Sequence, residues 1–199
     1  LNDGDFCKKM MNRILIENKL PELSLKKYRE IFTFPVQDYY KTAGLDFSKT
    51  SFEILGKDFI NEYEIKKFSC NLYENVVEIL SAIHRKGIKQ SVLSAYLQDN
   101  LINVLDHYNL AQYFDNIVGL DNIYAGSKAH LGLKLIEELD ANKNEVLFIG
   151  DTLHDAEVAE AMGVNCVLIA NGHQVKEKLI LNGNLVLDHL GDLKSYLML

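Results

Sequence analysis

Apolar residues fall into two rhythms along this 199-residue chain. From about Ile88 onward, short apolar runs alternate with amphipathic stretches. Ile88–Leu93 predicts a strand, followed by a helix with Leu97, Leu101, Val104 and Leu105 on one face. A short strand at Ile117–Val118 precedes a helix carrying Leu131, Leu135, Ile136 and Leu139. The strand Val146–Ile149 leads to a helix over Asp155–Met162 stopped by Gly163, and then to the strand Cys166–Ala170. A helix near Val175–Leu181, a strand at Leu185–Leu187 and a final helix complete the series. Such alternation with short connections predicts an α/β fold, a doubly wound parallel sheet covered by helices on both faces.

The first 75 or so residues keep the helical rhythm alone. Met10, Met11, Ile14 and Leu15 recur at helical spacing, as do Phe52, Leu55, Phe59 and Tyr63, with Pro21 and Pro35 in the breaks. Val76, Val77, Leu80 and Ile83 predict one more helical face, ended by Gly87, leading into the first strand. The expectation is a small helical module over residues 1–75 ahead of an α/β core over residues 76–199. The Tyr39-Tyr40 pair and the phenylalanines of the module are expected in its core or at its interface.

Composition narrows the partners. With 48% hydrophobic residues the chain can bury a sizeable core. A net charge of −7 without a basic block disfavours nucleic acid, which needs a cationic patch, and no apolar stretch nears the ~20 residues of a membrane span. Cys7, Cys70 and Cys166 lack metal-ligand spacing, so a reduced, cytoplasmic setting is expected. The chain starts at Leu1 rather than Met, which leaves a processed N-terminus or leader open. No exposed apolar stripe chooses between monomer and homodimer.

The candidate chemistry sits at polar breaks. Parallel strands share one carboxyl edge, where ligands bind, and Ser94, Asp121, Asp151 and Asn171 all follow strand ends. Ser94 reads as a turn or N-cap hydroxyl, or as a phosphate contact made with the N–H groups of the next helix. Lys128, after a candidate N-cap Ser127, is expected in a first helical turn, where a cation opposes the dipole by roughly 0.3–1 kcal/mol. An anion at the strand edge would favour it; a solvated lysine is the bland alternative. Asp151 and Asp155, four residues apart after Gly150, suit helix capping or a hard cation such as Mg²⁺, which takes oxygen ligands. Gly150 is expected to let the backbone approach a ligand. His154, Asn171 and His173 are weaker candidates, and His84, His107, His130 and His189 lack partners at ligand spacing.

Three of these breaks, in this order, resemble the motifs of the haloacid dehalogenase-like superfamily. Val92-Leu93-Ser94 resembles its second motif, Lys128 its third, and Gly150-Asp151-Thr152-Leu153-His154-Asp155 its fourth, the Gly-Asp-x-x-x-Asp pattern. The likeness is nearest to phosphoglycolate phosphatase-like members, which carry a helical cap. It implies a Mg²⁺-dependent phosphatase acting on a small phosphorylated metabolite, of phosphoglycolate or sugar-phosphate type, through an aspartyl-phosphate. Asp151 would hold the metal. Asp155 would be either a second ligand or the group that orients Lys128. Ser94, Ala95 and Lys128 would bind the phosphate, with Ser94, Lys128 and Asp155 in the catalytic set, and the cap would close over the substrate.

The family's first motif, Asp-x-Asp-Gly-Thr after a leading strand, has no match. Asp3-Gly4-Asp5 lacks a preceding strand and has its glycine between the acids. The resemblance places the missing strand in the sheet centre, between the strands ending at Ser94 and Asp151, where its loss would leave two internal edges unpaired. Roughly a dozen residues, carrying nucleophile and general acid, are therefore expected ahead of Leu1. The alternatives are a phosphomutase of the same fold and a non-catalytic relative that binds phosphate and Mg²⁺.

Overall fold

The computed structural model describes residues 1–121 and 128–199; Ser127, the candidate N-cap, lies outside the described residues. Four helices come first: α1 (Gly4–Glu17), α2 (Leu25–Ile31), α3 (Val36–Thr42) and α4 (Phe52–Lys66). Serine hydroxyls cap α2 and α4, where Ser24 and Ser51 accept the N–H groups of Lys27 and Ile54. The module closes on a core of its own, in which Met11, Ile14, Leu15, Tyr28, Tyr39, Tyr40 and Leu55 are buried. It is a small all-α cap.

The α/β core then runs α5 (Val76–Arg85), β1 (Ser91–Leu97), α6 (Gln98–His107), β2 (Asn116–Leu120), α7 (Ala129–Glu138), β3 (Leu147–Gly150), α8 (Leu153–Met162), β4 (Asn165–Ile169), α9 (Lys176–Leu179), β5 (Leu185–Leu187) and α10 (Leu193–Tyr196). Details of the sequence pattern shift, and Leu97, expected on the helix face, ends β1. The first strand starts at Ser91, leaving Ile88 49% exposed. On α5, Ile79 and Ile83 are the buried residues, while Val77 is 47% exposed. Gly87 and Gly163 take positive φ (70° and 73°) just past α5 and α8, a conformation that a side chain would strain.

All strand pairs are parallel, but the sheet is in two pieces, β1–β2 and β3–β4–β5. Among the described residues β1 and β3 are each paired on one side only, and the division falls where the family resemblance puts the unmatched strand. Helices hold the pieces in one layer. Strand side chains alternate between faces: Val92 of β1 packs with Val76, Leu80 and Leu101, and Leu147 of β3 packs with Ile79 and Ile83, so α5 spans both pieces on one face. Their neighbours Leu93 and Phe148 meet Ile136, Val158 and Met162 of α7 and α8 on the other. Both faces are thus covered, and every strand delivers its carboxyl end to the same edge.

Candidate active site

The acidic side of that edge is built by a tight turn from β3 into α8. Thr152 is the N-cap, and Asp155 is the third helical residue closing a capping box. Asp155 Oδ2 accepts from the backbone N–H of Asp151 (3.0 Å), the N–H of Thr152 (3.0 Å) and Thr152 Oγ1 (2.7 Å). Its Oδ1 accepts from Lys128 Nζ at 2.7 Å. The carboxylate therefore already has a donor on each oxygen. Burial pushes its pKa up, but the Lys128 charge and these hydrogen bonds outweigh burial and hold it below the usual range. A Cβ on Gly150 would lie 2.2 Å from Asp155 Cβ. The glycine is thus needed for the close approach of Asp155, not of a ligand.

Lys128 sits one residue before α7, at its N-cap, rather than in the first turn. The anion that favours a cation there is Asp155. The pair is buried, with the Lys128 side chain 10% exposed and that of Asp155 9%. Nζ also donates to Leu93 O at 3.1 Å and lies 5.3 Å from the Phe148 ring centroid. One lysine thereby ties β1 of the two-stranded piece to α8 beside the three-stranded piece.

Asp151 is not the cap of α8, since Thr152 fills that place. Its Oδ2 accepts the His173 N–H at 2.7 Å, and among the described residues none donates to Oδ1. Burial raises its pKa beyond what the facing His173 can offset, and the nearby Asp155 adds to the rise. A half-buried carboxylate in that condition is short of a cation. A Cβ on Gly172 would fall 2.1 Å from Asp151 Oδ2, so Gly172 is what allows the loop after β4 to brace the carboxylate.

The other side of the edge is built differently. The β1–β2 ladder is regular through Leu93↔Val118 and resumes only at Leu97↔Leu120, so Ser94, Ala95 and Tyr96 lie opposite Gly119 alone. Ser94 is therefore in a bulge, not at the N-cap of α6, which starts at Gln98. Its Oγ accepts the Tyr96 N–H at 3.2 Å. A Cβ on Gly119 would come within 2.7 Å of Tyr96 O, so glycine opposite the bulge is a requirement.

A third set of groups has no local sequence signature because it is assembled from both ends of the chain. His173 Nε2 lies 3.2 Å from Asp3 Oδ1, its Nδ1 shares a 2.8 Å hydrogen bond with Tyr28 Oη, and Tyr63 Oη donates to Asp3 Oδ2 at 2.6 Å. Burial pushes the Asp3 pKa up, yet His173 and Tyr63 hold it down at about 2. For His173 burial pulls down, and Asp3 and Asp151 outweigh it, so its pKa is raised. Gln174 donates to Phe32 O (2.9 Å) and accepts from the Leu153 N–H (2.7 Å), while Phe34 stacks on His154 at 4.9 Å. These contacts seat the cap on the loops around Asp151. Asp5, by contrast, is exposed and paired with Lys8 and Lys9.

Comparison with known proteins places this arrangement. Residues 1–169 match the family described as haloacid dehalogenase-like hydrolase. The chain is 26% identical over 137 residues to phosphoglycolate phosphatase 1 of Pseudomonas aeruginosa, covering 68% of this chain and 50% of that one. It is 27% identical over 105 residues to the pyrophosphatase PpaX of Listeria monocytogenes, covering 51% and 48%. The chain thus spans about half the length of the curated relatives it matches. Among solved structures, a predicted phosphatase from Clostridium acetobutylicum superposes with a TM-score of 0.81 at 20% identity, covering 99% of this chain and 93% of that one. A haloacid dehalogenase-like family hydrolase from Streptococcus pneumoniae gives 0.83 at 15% identity, covering 98% and 92%. Fold, motif order and family match agree: the chain belongs to the haloacid dehalogenase-like hydrolase family.

Proposed function

We propose that this protein is a Mg²⁺-dependent phosphatase acting on a small phosphorylated metabolite. The observation that carries the reading is the buried Lys128–Asp155 pair at 2.7 Å beside a half-buried Asp151 whose Oδ1 has no donor among the described residues. The names of the phosphoglycolate phosphatase and pyrophosphatase relatives support phosphate chemistry.

The residues fit the metal in kind. Among the described residues no three histidine, cysteine or acidic side chains gather around one point, but Mg²⁺ commonly takes one or two carboxylates and leaves its other positions to waters and substrate phosphate. Asp151, through Oδ1, is the residue to hold it. When bound, the ion offsets the negative charge of the phosphoryl oxygens. Asp155 acts as the orienting group for Lys128, since both its oxygens are engaged.

Lys128 has three N–H donors, of which two go to Asp155 and Leu93 O. The third serves a phosphate oxygen. Because the ammonium is already fixed, little reorganisation accompanies the shift of charge in the transition state. The Ser94 hydroxyl and the Ala95 N–H offer neutral donors from the bulge. The cap, seated through Gln174 and His154, excludes water and sets specificity. The attacking carboxylate that the family resemblance implies is not one of these groups: Asp3 is held by His173 and Tyr63, Asp155 by Lys128. Three free cysteines support a reducing, cytoplasmic setting.

The test is phosphate release from a panel of small phosphate monoesters by the natural full-length protein. Mg²⁺-dependent release, lost in Asp151→Asn, is the expected result. Phosphate bound without any release would replace this reading with a binding protein, and transfer to a second hydroxyl instead of water would make it a mutase.

A further inference from the structure

Arg29 of α2 points from the cap to the loop that braces Asp151. Its Nη2 lies 3.3 Å from Asn171 O, and the same carbonyl accepts Tyr73 Oη at 3.0 Å. The next residue, Gly172, packs against Asp151 Oδ2, and the N–H after that binds it. At the other end Nη2 is 4.0 Å from where a Cβ on Gly4 would stand, at the start of α1. The guanidinium is thus at the seam between cap and core, beside the candidate metal carboxylate.

What sets Arg29 apart is a buried donor left without a partner. Arg13 lies within 3.0 Å of Glu17, Asp58 and Glu62. Among the described residues no carboxylate lies within salt-bridge distance of Arg29, and its buried Nε has no acceptor. A guanidinium offers five donors in a planar fork, and leaving a buried one unmade is costly. One carbonyl contact at 3.3 Å does not use that fork. The group that does is a planar or tetrahedral oxyanion taken bidentately. Asp151 and Asp3 are close enough to Tyr73 to push its pKa up, after burial, to about 12, with Arg29 opposing them. The guanidinium is therefore one cation of a seam that also holds Asp3, Asp151, His173 and Lys178.

We propose that Arg29 is a specificity-determining residue that binds a second anionic group of the substrate, so that the preferred phosphate ester also carries a carboxylate or a second phosphate. The inference rests on the phosphatase reading for its substrate, but it concerns binding and can be tested without turnover.

The experiment is calorimetric titration of the natural full-length protein, with Mg²⁺, using methylphosphonate, phosphonoacetate and methylenediphosphonate. Wild type is expected to bind one of the two doubly anionic probes about 10- to 100-fold more tightly than methylphosphonate, the range for a charge-assisted pair. Which one it prefers separates carboxylate from phosphate. In Arg29→Gln the ratio falls to near one, and Arg29→Lys restores part of it. A role only in seating the cap would weaken all three probes alike and leave the ratio intact, which would overturn the proposal, as would a wild type with no preference. An Arg29-dependent preference in a protein that releases no phosphate would retain the inference and remove the phosphatase reading. Phosphate release with a ratio that Arg29→Gln does not change would do the reverse.

Discussion

The two sides of the sheet edge are built to different standards. On the β3–α8 side the ladder is regular, the turn is locked by a capping box, and Asp155 accepts four hydrogen bonds. On the β1 side the ladder breaks at Ser94, whose oxygen accepts one N–H from two residues away. Charge needs the first kind of construction, because a buried ion without fixed partners is costly. A neutral hydroxyl and backbone N–H groups do not, and a bulge frees them for a ligand. Lys128 belongs to both sides, and its contacts with Asp155 and Leu93 O set their relative position.

Breaking the acidic side should therefore cost folding energy, and breaking the hydroxyl side should not. Lys128→Met leaves Asp155 buried and unpaired, and should destabilise by about 3–5 kcal/mol in urea unfolding. A cost below about 1 kcal/mol would show that the pair is solvated. Next in size is the acid tie between cap and core. Asp3 has its pKa lowered from 3.8 to about 2, so its contribution is present above pH ~4 and lost as the pH falls toward 2. That contribution is about 2 kcal/mol, and Asp3→Asn should flatten the fall in stability over that window. Gly172→Ala would place a Cβ 2.1 Å from Asp151 Oδ2. It should cost roughly 1–3 kcal/mol and lower Mg²⁺ affinity with it. Ser94→Ala should change unfolding by no more than about 0.5 kcal/mol, while phosphate affinity falls measurably.

The same contrast explains what the sequence discloses. The β3–α8 turn is legible because its parts, Gly150, Thr152 and Asp155, act on one another within a few residues, and a capping box has a local signature. Gly163 is legible for the same reason. The β1 boundary is not: Ile88 fits a strand pattern, yet pairing with β2 begins at Ser91, and register is fixed by the partner strand. The face of α5 is shifted because adjacent valines satisfy a helical period in more than one way, and packing against two sheet pieces selects Ile79 over Val77. Least legible is the seam. Asp3 and His173 meet across 170 positions, and Arg29 meets Asn171 across 142, so no local pattern marks them. A clue was available in Arg29 itself, in a helix with no acid three or four residues before it.

The division of labour proposed for the β3–α8 turn has Asp151 as the metal carboxylate and Asp155 as the partner of Lys128. Its most direct test is Mg²⁺ titration followed by thermal unfolding in wild type, Asp151→Asn and Asp155→Asn. Wild type should gain stability with Mg²⁺, as any ligand of the native state requires. Asp151→Asn should be as stable as wild type or more so without metal, because it relieves a desolvated charge, and should gain nothing from Mg²⁺. Asp155→Asn should lose stability at the outset and still respond to the metal. A full Mg²⁺ response in Asp151→Asn, or its loss in Asp155→Asn without a drop in baseline stability, would overturn that division.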